Sequence, residues 1–248
     1  SILARVPEIL HYFPGSYIQI IEDLPNTSTL KAHLLNKSFE PAFADACGRV
    51  IGAWAVKFHS WGRHPEQEGL RRVLSSYTEA SVFKYRLSCG RLDATIEKFP
   101  EMLDNKKSLF QRVSRRITAI THRDDDVGII HGDFWPGNVE KNELGDDPKS
   151  DIDLDSKKLI FLLDWEFCHL SSIMIDLGTM FAELYILYFF ENSALVPLML
   201  ESFLEAYGSI ETLDAFDTML YCGVHLIIWP CRTEWSESPK LMECIQYG

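Results

Sequence analysis

His131-Gly132-Asp133-Phe134-Trp135-Pro136-Gly137-Asn138, then Asp164-Trp165-Glu166 behind the apolar run Leu159-Ile160-Phe161-Leu162-Leu163, is the stretch that decides how this chain folds. It sets an aspartate, an asparagine five residues later, and a second aspartate at the end of a strand-like run. Phosphoryl transfer calls for that set. One carboxylate orients or deprotonates the attacking hydroxyl, while an amide and another carboxylate hold a magnesium ion on the nucleotide phosphates. Taken singly, Asp133 would read as a loop residue capping amides and Asn138 as a turn residue after Gly137. The ordered combination is what carries the chemistry.

Around that stretch the hydrophobic pattern changes character. Val127-Gly128-Ile129-Ile130 reads as a short strand delivering His131 into a loop, and Leu159 to Leu163 as a buried strand. Residues 140–157 hold seven Asp or Glu with Gly145 and Pro148, the composition of a solvated insertion. Upstream, residues 17–21 are β-branched and aromatic and run into the turn-rich Glu22-Asp23-Leu24-Pro25-Asn26. From Pro41, apolar positions at helical spacing reach Phe58, with proline suited to the first turn. Further helices are expected over about 66–88 and about 105–122. The second of these should bury Leu109, Val113, Ile117 and Ile120 and expose Lys106, Arg112, Arg115 and Arg116. From Ser172 onward helical periodicity dominates, with breaks near Asn192-Ser193, Gly208-Ser209 and Pro230. The fold class is α+β, mainly helical.

The Asp-to-Asn interval equals that of the protein-kinase catalytic loop, and here the chain resembles the aminoglycoside phosphotransferase and choline kinase group, which has a protein-kinase-like fold. The resemblance rests on Asp133, Asn138, Asp164 and Asp176 and extends upstream. Tyr17 to Pro25 looks like a last N-lobe strand entering the hinge, and Val50 to His59 like the first long C-lobe helix. It implies Asp133 as base or orienter, Asn138 and Asp164 as Mg²⁺ ligands, and His131 and Asp176 as structural supports of the loop. It also implies adenine contacts from the backbone around Glu22 and Leu24. Glu166 is a candidate second metal contact, or a plain surface carboxylate. Asp176-Leu177-Gly178 imitates the kinase D-F-G, but it opens a helical run, where capping is the more natural task.

Residues 1–25 would then be the end of an N-lobe with its hinge. Residues 26–248 would be a helical C-lobe carrying the catalytic loop at 131–138, the acidic insertion at 140–157 and the metal-site strand at 159–166. Neither G-x-G-x-x-G nor G-x-x-x-x-G-K-[ST] occurs in the sequence. Ala53-Trp54-Ala55-Val56-Lys57 looks like a strand lysine motif but sits in a helical pattern. With Ser1 about twenty residues before the hinge, the resemblance implies an N-lobe largely missing. An ATP- and Mg-dependent small-molecule kinase, impaired in this form, is expected. The alternative is a pseudokinase-like binding module without nucleotide chemistry.

Composition narrows the partners. The 248 residues, 46% of them hydrophobic, are ample for a buried core. A net charge of −12 argues against nucleic acid, which would need a basic face. It suits a cationic hydroxylated substrate, and a solvated acidic surface equally. Trp229, Trp235, Glu234 and Glu237 could line a pocket for such a cation, though core packing is the commoner use of tryptophan. Six scattered cysteines without paired spacing, and an apolar window at Leu177–Leu200 interrupted by Glu183 and Glu191, predict a cytoplasmic chain with neither disulfide framework nor membrane span.

Overall fold

The computed structural model describes residues 2–36, 40–100, 107–121, 127–142 and 158–248; most of the acidic insertion therefore lies outside the described residues. Strand β1 (Ile2–Arg5) runs parallel to β7 (Lys158–Leu162), which is antiparallel to β6 (Val139–Asn142); β6 in turn pairs with β4 (Thr27–Thr29). The sheet order is β1-β7-β6-β4, so the strand read as buried is flanked on both sides. Strands β2 (Ile9–Phe13) and β3 (Ile18–Ile21) form a separate hairpin whose residues are exposed on both faces. A third pair joins β5 (Gly128–Ile130) to β8 (His169–Ser171), bringing the entry of the catalytic-loop candidate beside the chain that follows Asp164.

Helices make up the remainder. Helix α1 spans Leu30–Leu35, with Thr29 capping the Ala32 amide, and α2 spans Pro41–Arg63 with its proline in the first turn. Then come α3 (Glu68–Ser75), α4 (Glu79–Leu87), α5 (Leu92–Ile96) and α6 (Lys107–Thr121). The last four are α7 (Met174–Glu191), α8 (Leu195–Tyr207), α9 (Thr212–Ile228) and α10 (Leu241–Tyr247). Residues 53–57 lie inside α2, so the lysine look-alike is helical.

Helix α2 lies against α8 so closely that a Cβ at Gly52 would meet the Phe203 carbonyl oxygen at 2.3 Å, and one at Gly48 the Met199 carbonyl at the same distance. Two glycines four apart on one helix face are what permits that approach. Ile51, Phe203 and Phe134 are fully buried at the junction, each stabilising by about 1.5–3 kcal/mol. Helix α7, buried from Met174 through Ala182, forms the centre of the core and carries Asp176 into it.

Two expectations are corrected. The pattern over 66–88 is not one helix but α3 and α4. The Ser75 and Ser76 hydroxyls donate to the Arg72 and Val73 carbonyls at 2.8 and 2.7 Å, competing with the helical ladder and ending α3. On α6, Ile117 and Ile120 are buried, but Leu109 is 47% exposed. Arg116 is held in a two-pronged pair with the buried Asp217 of α9, at 3.0 and 2.7 Å, because a carboxylate packed into a helix interface needs a cation.

No helix among the described residues is long and apolar enough to cross a membrane. None of the six cysteines forms a disulfide. Burial pushes the Cys89 thiol up to about 11 and the Cys222 thiol up to about 12, so neither is a thiolate at neutral pH.

Candidate active site

Strand β5 ends at Ile130, and the chain turns sharply through His131, Gly132 and Asp133. Gly132 has φ +80°, and a Cβ there would come within 2.1 Å of the Phe167 carbonyl oxygen; only glycine fits. The turn is held from below by Asp176. One of its carboxylate oxygens accepts the His131 amide at 2.8 Å and His59 Nε2–H at 3.1 Å, and the other accepts the Gly132 amide at 2.9 Å. Asp176 therefore caps the loop rather than its own helix, whose N-cap is Ile173. Tyr207 Oη, donating to His59 Nδ1 at 2.9 Å, completes the chain of contacts.

Burial raises the Asp176 carboxyl, but the hydrogen bond and charge from His59, with help from His131, carry it net below its ordinary value. His131 itself is fully buried. Its Nε2–H donates to the Leu163 carbonyl at 2.9 Å and its Nδ1 accepts the Asp133 amide at 3.3 Å, which fixes the tautomer and ties the two strands around the site. Its ring lies 4.4 Å from Trp165.

Asp133 emerges from this loop half-buried. Asn138, in the turn 136–138, donates from Nδ2 to the Asp133 carbonyl at 3.0 Å and to Asp133 Oδ2 at 2.9 Å, leaving its amide oxygen as an unspent acceptor among the described residues. The β6–β7 register continues through a bond from the Leu163 amide to the Asn138 carbonyl at 2.9 Å, so Asp164 follows directly opposite the Asn138 turn. Asp164 adopts the left-handed conformation (φ +63°), is exposed and makes no capping bond. An amide oxygen and a free carboxylate from adjacent strands are the hard donors magnesium takes, one or two at a time. Glu166 is also exposed, in the turn at 165–167.

The hinge candidate is partly committed. The Glu22 side chain pairs with Arg5 and accepts the Glu8 amide at 3.1 Å. Its own amide donates to the Glu8 carbonyl, and the Leu24 carbonyl accepts from Thr27.

One residue was not foreseen at all. Lys84, from the middle of α4, is 5% exposed and donates to Asp133 Oδ1 at 2.5 Å. In the sequence it is one cation on a helix of modest amphipathicity, indistinguishable from a solvated lysine. On the other side of Asp133 opens a cavity of about 280 Å³ lined by Trp135, Glu183, His225, Trp229, Glu234 and Trp235. Three of the four residues suggested for a cation pocket are thus brought to Asp133, while Glu237 lies exposed outside it. Glu183 and His225 were missed as a pair. His225 Nε2–H donates to Glu183 at 2.7 Å, joining α9 to α7 across the cavity wall.

Burial lowers the pKa of His131, His169 and His225 from the ordinary 6.5, so all three are held neutral in the fold. An unfolded chain takes up protons on them as pH falls past about 6.5, while the native chain does not until lower pH. Stability is therefore fully present above 6.5 and declines below it. Urea midpoints at pH 7.5 and 5.5 should differ, the lower pH giving the lower midpoint. Identical midpoints would show that these rings are not kept neutral.

No protein-family model matches the chain. Its sequence is 23% identical over 227 residues to the phosphotransferase FrzJ of Cladobotryum sp, covering 90% of this chain and 58% of that protein. It is 21% identical over 253 residues to the 4-hydroxytryptamine kinase of Psilocybe cyanescens, covering 100% of this chain and 66% of that one. The chain is thus similar to these phosphotransferases over nearly its whole length. It spans less than two thirds of the length of either. A solved choline/ethanolamine kinase family protein from Mesorhizobium loti superposes with a TM-score of 0.48 at 13% identity, over 98% of this chain and 76% of that one.

Proposed function

We propose that the chain is the acceptor- and metal-binding part of an ATP-dependent phosphotransferase that acts on a hydroxyl of a small, amine-bearing molecule. The observation that carries this is the convergence of Asp133, Asn138 and the residue before Asp164 in one hydrogen-bonded unit at the mouth of a tryptophan- and carboxylate-lined cavity. In the transfer, the acceptor oxygen forms a bond to the γ-phosphorus, and the bond from that phosphorus to the β–γ bridging oxygen breaks. ADP leaves, and the hydroxyl proton passes to the Asp133 carboxylate. Asn138 positions that carboxylate through Nδ2. Its amide oxygen and Asp164 fit Mg²⁺, which when bound neutralises phosphate charge. Glu166, exposed in the neighbouring turn, is a candidate contact to a second ion, directly or through water.

An amine on the acceptor would find Glu183 for charge and the faces of Trp229 and Trp235 for cation–π contact, beside the Lys31–Glu234 ion pair. The volume of about 280 Å³ suits a molecule smaller than an aminoglycoside. The relative named for 4-hydroxytryptamine gives the first acceptor to try, with ethanolamine and choline as smaller nitrogen-bearing alcohols of the same charge. Because neither glycine-rich phosphate-binding motif occurs in these 248 residues, their turnover should fall below the roughly 1–100 per second of ordinary kinases.

The test is transfer of label from γ-³²P-ATP and Mg²⁺ to 4-hydroxytryptamine, ethanolamine or choline. Product formed in step with ADP and abolished by chelation supports the assignment. ATP-dependent product from none of the three, with no thermal shift by Mg-ATP, would leave the binding-module reading standing. For the metal residues, Asp164→Ala and Asn138→Ala should each remove most of the Mg-dependent part of the ATP thermal shift. They should also lower transfer by about a hundredfold or more. An unchanged magnesium titration in Asp164→Ala would sink the ligand assignment.

A further inference from the structure

The Lys84 side chain is a buried cation whose only close anionic contact among the described residues is Asp133. Burying a lysine is expensive, and a hydrophobic residue of similar volume would fill the same space at no electrostatic cost. Here the ammonium is enclosed by the rings of Phe167 at 5.4 Å and Trp229 at 6.0 Å and set on Asp133 Oδ1, while Asn138 holds Oδ2. One donor on each oxygen fixes the plane of the carboxylate and leaves a lone pair on each for a substrate hydroxyl. Lys31, at the far edge of the same cavity, is already committed to Glu234 at 2.7 Å. Asp133 thus takes its compensating charge from α4, an element outside the catalytic loop.

From this geometry we propose that Lys84 is a positioning residue for phosphoryl transfer: by ion-pairing with Asp133 from α4, it holds that carboxylate in line for the acceptor hydroxyl and offsets its charge as the anionic nucleotide approaches. The inference rests on the phosphotransferase reading above. Lys84 also lines a second cavity, of about 690 Å³, together with Tyr85, Ser88, His169 and Tyr221. The ion pair is the partition between the two cavities, and the second one gives small solutes access to the seat of the ammonium.

That access makes the role separable from simple packing. In the full chain, Lys84→Met should lower kcat for the acceptor found above on the order of a hundredfold, as a misaligned base does, with both KM values changed less than about threefold. Lys84→Arg should recover part of the loss. In Lys84→Ala, methylammonium should restore kcat at least about tenfold, where methanol or sodium chloride at equal concentration does not. A readout independent of turnover accompanies this. In thermal melts, Lys84→Met should cost less stability in an Asp133→Asn background than in wild type, since the single change leaves a half-buried carboxylate without its cation. Wild-type kcat in Lys84→Met, a rise in activity, a change confined to KM, or rescue by methanol as well as methylammonium would each overturn the proposal while leaving phosphotransfer intact. Transfer absent from wild type itself would remove the parent reading and this one together.

Discussion

Asp133→Asn should reduce phosphoryl transfer by about 10²–10⁴-fold while Mg-ATP still shifts the melting temperature as in wild type. An amide has the shape of the carboxylate but cannot take the hydroxyl proton, so the change removes the proton acceptor and little else. Its carbonyl oxygen can still receive the Lys84 ammonium, which keeps that buried cation from being left without any acceptor. The cost falls on the Asn138 side, where two amide nitrogens would face one another unless Asn138 turns. A modest loss of stability is therefore expected beside the large loss of rate. Single-turnover transfer above a tenth of the wild-type value would show that Asp133 is not the base. A lost ATP shift would show that the variant reports on binding rather than chemistry.

The largest stability effect should come from Asp176→Ala. The wild-type carboxylate, 1% exposed, satisfies two loop amides and one imidazole. Alanine leaves the His131 and Gly132 amides buried without an acceptor and strands His59, a loss of about 3–5 kcal/mol. For a domain of this size that corresponds to a fall in melting temperature on the order of 10 °C. Because Gly132 holds its positive φ against Phe167 only while those amides are tied down, transfer should drop further than stability alone explains. Since the net effect of its surroundings is to lower the Asp176 pKa, its contribution is present above about 3.8 and is lost as pH falls through the folded value. Denaturation at pH 7 by urea, with an Asp176→Ala loss under about 1 kcal/mol, would contradict the bracing role.

Local features were the legible ones. Asp133 and Asn138 lie five residues apart in one short loop, so their spacing alone brings them together. Asp164 follows an apolar run that can only be an internal strand, and the observed β6–β7 pairing delivers it beside Asn138. Proline at the head of α2 and the breaks at Asn192, Gly208 and Pro230 are backbone signals that need no tertiary context. Periodicity over 66–88 misled because the serine hydroxyls at 75 and 76 cut a helix whose side-chain pattern runs on. Leu109 misled for a different reason: an apolar position at helical spacing is buried only if another element reaches that end of the helix.

The amino-acid order by itself settled an α+β, mainly helical chain and singled out one loop as its candidate site, because turns, strand ends and helix faces are governed by neighbours a few residues apart. What only the folded arrangement decided is what surrounds Asp133. Lys84 stands 49 residues from its partner, Glu183 and His225 are 42 apart, and His59 meets Asp176 across 117 residues. Pairings at that range depend on which helix docks where, and docking follows from packing shape and from a buried charge's need for its opposite, neither of which leaves a pattern along the chain.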